Sequence, residues 1–154
     1  MAARPATCAD RSRPAELSAL TGLGDIHHRR GRLTQATAYA QQALDGARDA
    51  TDRNAQYEAH QCLGRIQHTT NNYRESLDHH RAALELATDL DHPPDQVRAH
   101  DGLAHAHQSL SDPDQARIHW QAALDLLGMS DADITDEPEV TAVAIRTHLA
   151  QLEA

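Results

Sequence analysis

The strongest constraint in the sequence is an internal repeat with a period of 40 residues. The segments 19–27, 59–67 and 99–107 align without gaps. Four columns of leucine or small residues keep this register: Leu23, Leu63 and Leu103; Gly24, Gly64 and Ala104; Ala36, Ser76 and Ala116; and Ala43-Leu44, Ala83-Leu84 and Ala123-Leu124. One copy of such a repeat cannot bury its apolar face alone, so the copies must stack on one another.

Each copy is predicted to form two helices joined by a short turn, because residues that end helices interrupt an apolar pattern of helical spacing. Gly31 and Asn71 suit the left-handed position that follows a helix. Asp112 and Pro113 suit the cap and the first turn of the next helix. The predicted first helices span residues 17–30, 57–70 and 96–110, and the predicted second helices span residues 33–49, 73–89 and 113–127.

Small side chains let the two helices of each copy approach closely, because the ridges of one helix pack into the space that a small residue leaves. Gly24 is predicted to face Ala36 in the first copy, and the equivalent residues face each other in the other two. Leucines are then expected to fill the space between the helices and between the copies, at Leu23, Leu63, Leu103, Leu44, Leu84 and Leu124.

The composition favours helix over strand: the 154 residues include 28 alanines, 3% aromatic residues and no phenylalanine. The predicted fold class is therefore all-α, a solenoid of three antiparallel helical hairpins followed by a C-terminal capping helix. The predicted units are a disordered segment at 1–15, the repeats at 16–129 (16–55, 56–95 and 96–129), an acidic linker at 130–137 and the capping helix at 138–154.

The capping helix is predicted to start near Pro138, with Asp136 as its cap. Its apolar stripe is expected to comprise Val140, Val143, Ala144, Leu149 and Leu152. A repeat array needs an end with a polar outer face, and this helix fits that role. The alternative is a helix that is displaced, or that itself binds a partner.

Charge and cysteine content argue against several classes of protein. The net charge is −9 and all 14 cationic side chains are arginines, which does not suit direct binding to nucleic acid. Two cysteines cannot build a disulfide framework. No apolar run approaches the ~18 residues of a membrane span, and residues 1–10 lack the apolar core of a secretory signal, so a cytoplasmic location is expected.

Catalytic and metal-binding chemistry is not expected. The 12 histidines include no two that lie three or four residues apart, the spacing that places two ligands on one helix face. Cys8 and Cys62 have no base or oxyanion site that the sequence reveals. The sequence holds no phosphate-binding loop, dinucleotide fingerprint or nucleophile elbow. We therefore expect neither an enzyme, nor a cofactor, nor a metal site.

The hairpins resemble the tetratricopeptide repeat, through the Leu-Gly pair of the first helix and the small residue and Ala-Leu pair of the second. The resemblance covers about residues 16–129 and implies a right-handed stack whose first helices line a concave, protein- or peptide-binding groove. The segments 99–107 and 115–124 are similar to the C-terminal repeats of actinobacterial SARP-type activators and related large ATP-binding regulators. That likeness implies a role in transcriptional regulation.

The repeat register predicts which side chains the groove exposes. The candidate partner-binding residues are Thr21, Asp25, His28, Arg29, Glu58, Gln61, Arg65, His68, Arg98, Asp101, His105 and Gln108, with Ser18, Gly22, Cys62, Thr69, Gly102 and Ser109 also exposed. Arg65 and Arg98 are placed to hold a carboxylate; the alternative is that each pairs with a neighbouring acid.

Chaperone-binding members of the family clamp a peptide C-terminus with side chains at fixed columns of the groove. Those columns correspond here to Thr21, Asp25, Cys62, Arg98 and Gly102, of which only Arg98 keeps the charge. A clamp of that kind is therefore not expected.

Three function hypotheses remain beside the leading one of a non-catalytic binding module. The chain could self-associate as a homo-oligomer, act as the sensory tail of a larger regulator, or sense a small molecule in an internal cavity. A further hypothesis is that partner affinity changes between about pH 7 and pH 5.5, where histidine titrates. His28, His68 and His105 in the groove motivate it.

Overall fold

The computed structural model describes residues 8–128 and 141–153, and in these ranges it contains seven α-helices and no strand. The all-helical fold class is thus confirmed for the described residues. The helices are α1 (Cys8–Arg29), α2 (Leu33–Asp49), α3 (Arg53–Thr69), α4 (Tyr73–Asp89), α5 (Pro93–Ser109), α6 (Pro113–Gly128) and α7 (Ala142–Leu152). Helices α1 to α6 pack each against the next, and the first helices α1, α3 and α5 also adjoin one another.

Left-handed residues reverse the chain after each helix from α1 to α5. Gly31, Asn71 and Ser111 have φ values of 70°, 61° and 61°, and they separate the two helices of each pair. Thr51 and Asp91, with φ of 54° and 49°, separate one pair from the next. The amide of the following residue bonds back across each turn, as from Arg32 to the His27 carbonyl at 2.9 Å. This arrangement satisfies the last carbonyls of the helix.

The core is built from alanines that bring helices together and from leucines between them. Ala36, Ser76 and Ala116, one small column of the repeat, are each 0% exposed. The Ser76 hydroxyl donates to the Gly64 carbonyl at 2.9 Å, so a polar residue is satisfied within this contact. Leu44, Leu63 and Ile66 fill the space between α2 and α3, and Trp120 fills the space between α6 and α7.

Helix α1 begins at Cys8, so part of the segment predicted to be disordered, residues 8–15, is helical. Pro14 lies inside the helix, where it removes one backbone hydrogen bond without ending it. Residues 12–16 are all exposed. A helical segment that buries no side chain leaves no apolar pattern in the sequence. Residues 1–7 lie outside the described residues.

Leu23 is a second difference from the prediction: it is 38% exposed, whereas Leu63 and Leu103 are each 1% exposed. Leu63 and Leu103 are covered by the preceding second helices, α2 and α4. Leu23 lies on α1, which has no preceding second helix against it in the described chain.

Helix α7 packs on α6. Thr141 caps it, with its hydroxyl accepting from the Ala144 amide at 3.2 Å. Ile145, which the predicted stripe omitted, is 0% exposed, whereas Val143 is 71% exposed. The face of α7 that packs against α6 therefore centres on Ile145, and Val143 lies outside it. The predicted linker 130–137 with Asp136, and residues 138–140, lie outside the described residues.

In the described ranges, none of the helices combines the length and the apolar character needed to cross a bilayer.

Candidate binding groove

Two adjoining pockets lie along the face that α1, α3 and α5 form. The larger, here called the histidine pocket, has a volume of about 430 Å³ and is lined by His28, Gln61, Arg65, His68, Thr69, His80, Arg98, Asp101, Gly102, His105 and His148. The smaller, here called the side pocket, has a volume of about 250 Å³ and is lined by Ser18, Thr21, Gly22, Asp25, Tyr57, Glu58, Gln61, Arg65 and Arg98. The two share Gln61, Arg65 and Arg98, so they form one groove.

Ten of the twelve predicted binding residues line this groove. Arg29 and Gln108 are exposed but line neither pocket. Thr21 and Gln61 line it although they are buried, at 7% and 5% exposure, so the prediction that they are exposed is wrong. Thr21 turns its hydroxyl to the Leu17 carbonyl at 3.2 Å, and Gln61 is held in an internal network. The prediction for Cys62 is also wrong, because it is 0% exposed.

The arginines shared by the two pockets have acidic neighbours. Arg65 Nη2 lies 2.7 Å from Asp25 Oδ1, which joins α3 to α1 at positions 40 residues apart. Arg98 Nη2 lies 3.7 Å from Asp95 Oδ1 on its own helix. Both arginines are only partly exposed, at 39% and 29% of their side chains. A ligand carboxylate would therefore meet cations that already have partners, which is the alternative that the sequence left open.

His80 of α4 is the main site residue that sequence reasoning missed. It is 3% exposed, yet it lines the histidine pocket. Its ring lies between α3 and α5, where both helices carry glycine. A Cβ atom added to Gly64 would lie 2.6 Å from the ring, and one added to Gly102 would lie 2.5 Å from it. The sequence carries glycine at both neighbouring positions, but a repeat register that lines the groove with first helices does not reveal a contribution from α4.

A chain of hydrogen bonds fixes the proton of His80. Tyr57 Oη donates to the backbone carbonyl of Asp95 at 3.2 Å, so it accepts from Gln61 Nε2, 3.0 Å away. The Gln61 carbonyl oxygen must then accept from His80 Nδ1 at 2.7 Å. Burial lowers the pKa of His80 to about 3, so the ring is neutral. Its proton is on Nδ1, and Nε2 keeps a lone pair.

A different pair occupies the positions 40 residues after Gln61 and His80. Trp120 lies 40 residues after His80, and Asp101 lies 40 residues after Gln61. The indole N–H of Trp120 donates to Asp101 Oδ1 at 3.0 Å. Asp101 Oδ2 lies 3.5 Å from His105 Nε2. Burial disfavours the charged form of His105, but the hydrogen bond and charge of Asp101 prevail and raise its pKa. His148 of α7, also missed, stacks on Trp120 at 5.0 Å between ring centroids.

Two further histidines tie neighbouring first helices together. His28 Nε2 lies 2.8 Å from Thr69 Oγ1, and His68 Nε2 lies 3.0 Å from Ser109 Oγ. Burial lowers the pKa of both rings. Of the three histidines on which the pH hypothesis rests, His105 alone has a raised pKa, which favours its charged form at mildly acidic pH. The predicted dependence of partner affinity on pH therefore rests on His105 and no longer on His28 and His68.

Glu58 lines the side pocket, where partial burial and the carboxylate of Asp95 raise its pKa.

Within residues 8–128 and 141–153, no three His, Cys, Asp or Glu side chains come together in a way that could hold a metal ion. Burial raises the pKa of the Cys62 thiol to about 12, so this thiol is not a nucleophile at neutral pH. The groove offers hydrogen-bonding and ionic contacts to a ligand.

Comparison with known proteins agrees with this architecture. Residues 19–53 and 59–94 match the family model described as tetratricopeptide repeat. The crystal structure of the tetratricopeptide-repeat domain of Arabidopsis FLU is similar to this chain with a TM-score of 0.71 at 19% sequence identity. The match covers 77% of this chain and 99% of that one. No curated protein matches in sequence. The chain thus carries tetratricopeptide repeats at residues 19–53 and 59–94, in the fold of a tetratricopeptide-repeat domain.

Proposed function

We propose that the chain is a non-catalytic module, acting in the cytoplasm, that binds a protein or peptide in the groove formed by α1, α3 and α5. The observation that carries this proposal is the position of Arg65 and Arg98, which line both pockets and stand at their junction. A regulatory role, in association with a transcription regulator, rests on the resemblance of segments 99–107 and 115–124 to SARP-type arrays.

The groove suits a short segment with an acidic group near its middle. Arg65 and Arg98 supply positive charge at the junction, while neutral His28, His68 and His80 supply polar but uncharged surface beside it. An arginine that exchanges one carboxylate for another keeps its ion pair, so a ligand carboxylate competes with Asp25 for Arg65 instead of filling an unsatisfied site. This exchange gives specificity for acidic segments at modest affinity.

Helices α5 and α6 are proposed as the third repeat, because they continue the register of the two matched segments. Ala104 and Ala116 are both 0% exposed and take the small-residue positions of the earlier copies. Helix α7 is proposed as the cap. Since α7 also places His148 in the histidine pocket, a displacement of α7 would change the groove, which keeps the alternative of a displaceable helix open.

The proposal is tested by a pull-down from native cell extract with three baits: the wild type, Arg65→Glu and Arg117→Glu. Arg117 is an exposed arginine on α6 outside both pockets, so its variant has the same change of net charge. We expect a partner that the wild type and Arg117→Glu retain and that Arg65→Glu loses. The circular dichroism spectra of all three should agree. Equal recovery by the three baits would contradict the groove as the binding site.

A further inference from the structure

Helix α1 carries an exposed stripe that the groove does not use. The stripe follows alternating steps of four and three residues, the spacing of a helix that packs along another helix. It comprises Ser12, Glu16, Ala19, Leu23, Ile26 and Arg30. Leu23 is 38% exposed and Ile26 is 47% exposed, and all six residues are exposed. Apolar side chains at the centre and charges of opposite sign near the two ends are the layout of a contact surface.

The same positions are covered in the other repeats of this chain. Leu63 and Ile66 of α3 are 1% and 0% exposed, because α2 packs over them. Leu103 and Ala106 of α5 are 1% and 0% exposed beneath α4. The stripe of α1 therefore has the form of a surface that elsewhere in this molecule receives a helix.

Glu16 argues against an α2-type helix as a partner for this stripe. In the later repeats its position is held by Gln56 and Gln96, whose side-chain amides donate to the carbonyls of Ala47 and Ala87 on the preceding helix, each at 3.3 Å. A carboxylate has no proton to donate, so Glu16 would face such a carbonyl with repulsion. A carboxylate at this position instead fits a partner that presents a cation.

The position at which α1 begins also argues against a preceding helical hairpin as the partner of the stripe. Helices α3 and α5 begin at Arg53 and Pro93, in register with Arg13, directly after the turn from the preceding helix. Helix α1 begins five residues earlier, at Cys8, and so runs straight through the place of that turn. A preceding hairpin stacked in the manner of the later repeats is not compatible with this continuous helix.

We propose that the stripe of α1 pairs antiparallel with the stripe of a second copy of this chain, with the two-fold axis at Leu23. Glu16 and Arg30 lie seven residues to either side of Leu23. In the antiparallel pair, each Glu16 therefore lies opposite Arg30 of the second copy, and Ala19, Leu23 and Ile26 form the apolar centre. The same stripe thus supplies a cation opposite Glu16.

The other end of the array offers no comparable surface for a second copy among the described residues. Ile145 of α7 is 0% exposed against Trp120 and Ala123 of α6, so α7 already covers the last hairpin. A head-to-tail contact of α1 with the C-terminal end would have to displace α7. The symmetric contact of α1 with α1 needs no displacement, and it closes at two copies.

Sedimentation equilibrium of the full chain over a range of protein concentrations tests the proposal. We expect the wild-type mass to rise from 16.9 kDa toward twice that value. The variant Leu23→Glu/Ile26→Glu should stay at the mass of one chain with unchanged helix content. Ile118→Glu is the matched control, because Ile118 is 57% exposed on α6, away from the stripe, and it should associate like the wild type. A wild type that remains at the mass of one chain throughout would overturn the proposal and leave the stripe to a different protein.

A charge exchange tests the antiparallel geometry. Glu16→Arg alone and Arg30→Glu alone should each raise the dissociation constant of the dimer, by about tenfold, since each replaces two opposite-charge contacts with like-charge ones. The combined variant Glu16→Arg/Arg30→Glu should return to the wild-type constant. Failure of the combined variant to recover would overturn the antiparallel pairing, even if the apolar variant abolished association. The groove is not involved, so neither result bears on the proposed function.

Discussion

At the scale of single residues, side-chain size is matched between columns of the repeat. Ala40 and His80 occupy the same position 40 residues apart, and their neighbours differ accordingly. Beside small Ala40 stands Cys62, whose Sγ lies 3.1 Å from a Cβ placed on Gly24. Beside the larger His80, the residue equivalent to Cys62 is Gly102. The sequence shows which residues occupy both columns. That a large side chain in one column is matched by a small side chain in the other is seen only in the packed helices.

Gly102→Ala should lower the free energy of unfolding by about 1–3 kcal/mol, because the new methyl group enters the space of the His80 ring. Gly22→Ala is the control. Gly22 lies in α1 with nothing within 4 Å of its Cβ position, so the variant should be neutral or stabilising by about 0.5–1 kcal/mol. Urea unfolding measures both. In the background of His80→Ala, Gly102→Ala should cost much less; a cost independent of residue 80 would show that the contact is not the cause.

At the scale of helices, one histidine pair joins α3 to α4 and a second joins α5 to α6. His60 and His79 face each other with their Nδ1 atoms 3.0 Å apart, and so do His100 and His119. One proton is shared between the two facing nitrogens, so a second proton would break the contact. Burial, with the paired histidine as the next cause, lowers the pKa of His60 and of His119 to about 4.

These pairs predict loss of stability in acid. A histidine whose pKa is lower in the folded than in the unfolded protein binds fewer protons when folded. Its contribution is therefore complete above the ordinary pKa of about 6.5 and is lost as the pH falls from there toward about 4. The first repeat carries Leu20 and Tyr39 at these positions. The variant His60→Leu/His79→Tyr should lose less stability than the wild type between pH 7.5 and pH 5, as measured by urea unfolding. Equal losses in both would contradict the assignment.

Helix boundaries were predictable where turn chemistry marks them and not elsewhere. Gly31, Asn71 and Pro113 placed the turns within each pair correctly, because left-handed residues and N-terminal prolines act locally. The start of α1 was missed, since the exposed residues 12–16 bury no side chain and leave no apolar pattern. The register alone was enough to place ten of the twelve predicted first-helix residues along the two pockets, but not to show that Thr21 and Gln61 are buried there. His80 and His148 were not predictable, because their approach to the groove depends on how α4 and α7 pack.

At the scale of the whole molecule, the contribution of a residue to the free energy of unfolding depends on the position of its helix in the stack. Leu63→Ala should lower the free energy of unfolding by about 2–5 kcal/mol, because Leu63 is 1% exposed between α2 and α3. Leu23→Ala removes the same atoms at the same register, but Leu23 is 38% exposed at the end of the array. Measured by urea unfolding at low protein concentration, its loss should be well below 1 kcal/mol. Similar losses for both would contradict the repeat register.

The position of the His80 ring between two glycines has a consequence for local unfolding of the array. His80 belongs to α4 but lies against α3 at Gly64 and α5 at Gly102, so opening any of these three helices exposes the same ring. Opening α3 or α4 also breaks the hydrogen bond between His80 and Gln61. Helix α2 carries Ala40 at the equivalent position, and this small side chain does not join three helices as the His80 ring does. We therefore expect local opening of the native state to begin at α1 and α2 and to stop at α3. Hydrogen exchange should then be slowest for amide protons in the middle of the chain, around a residue that is neither aliphatic nor charged.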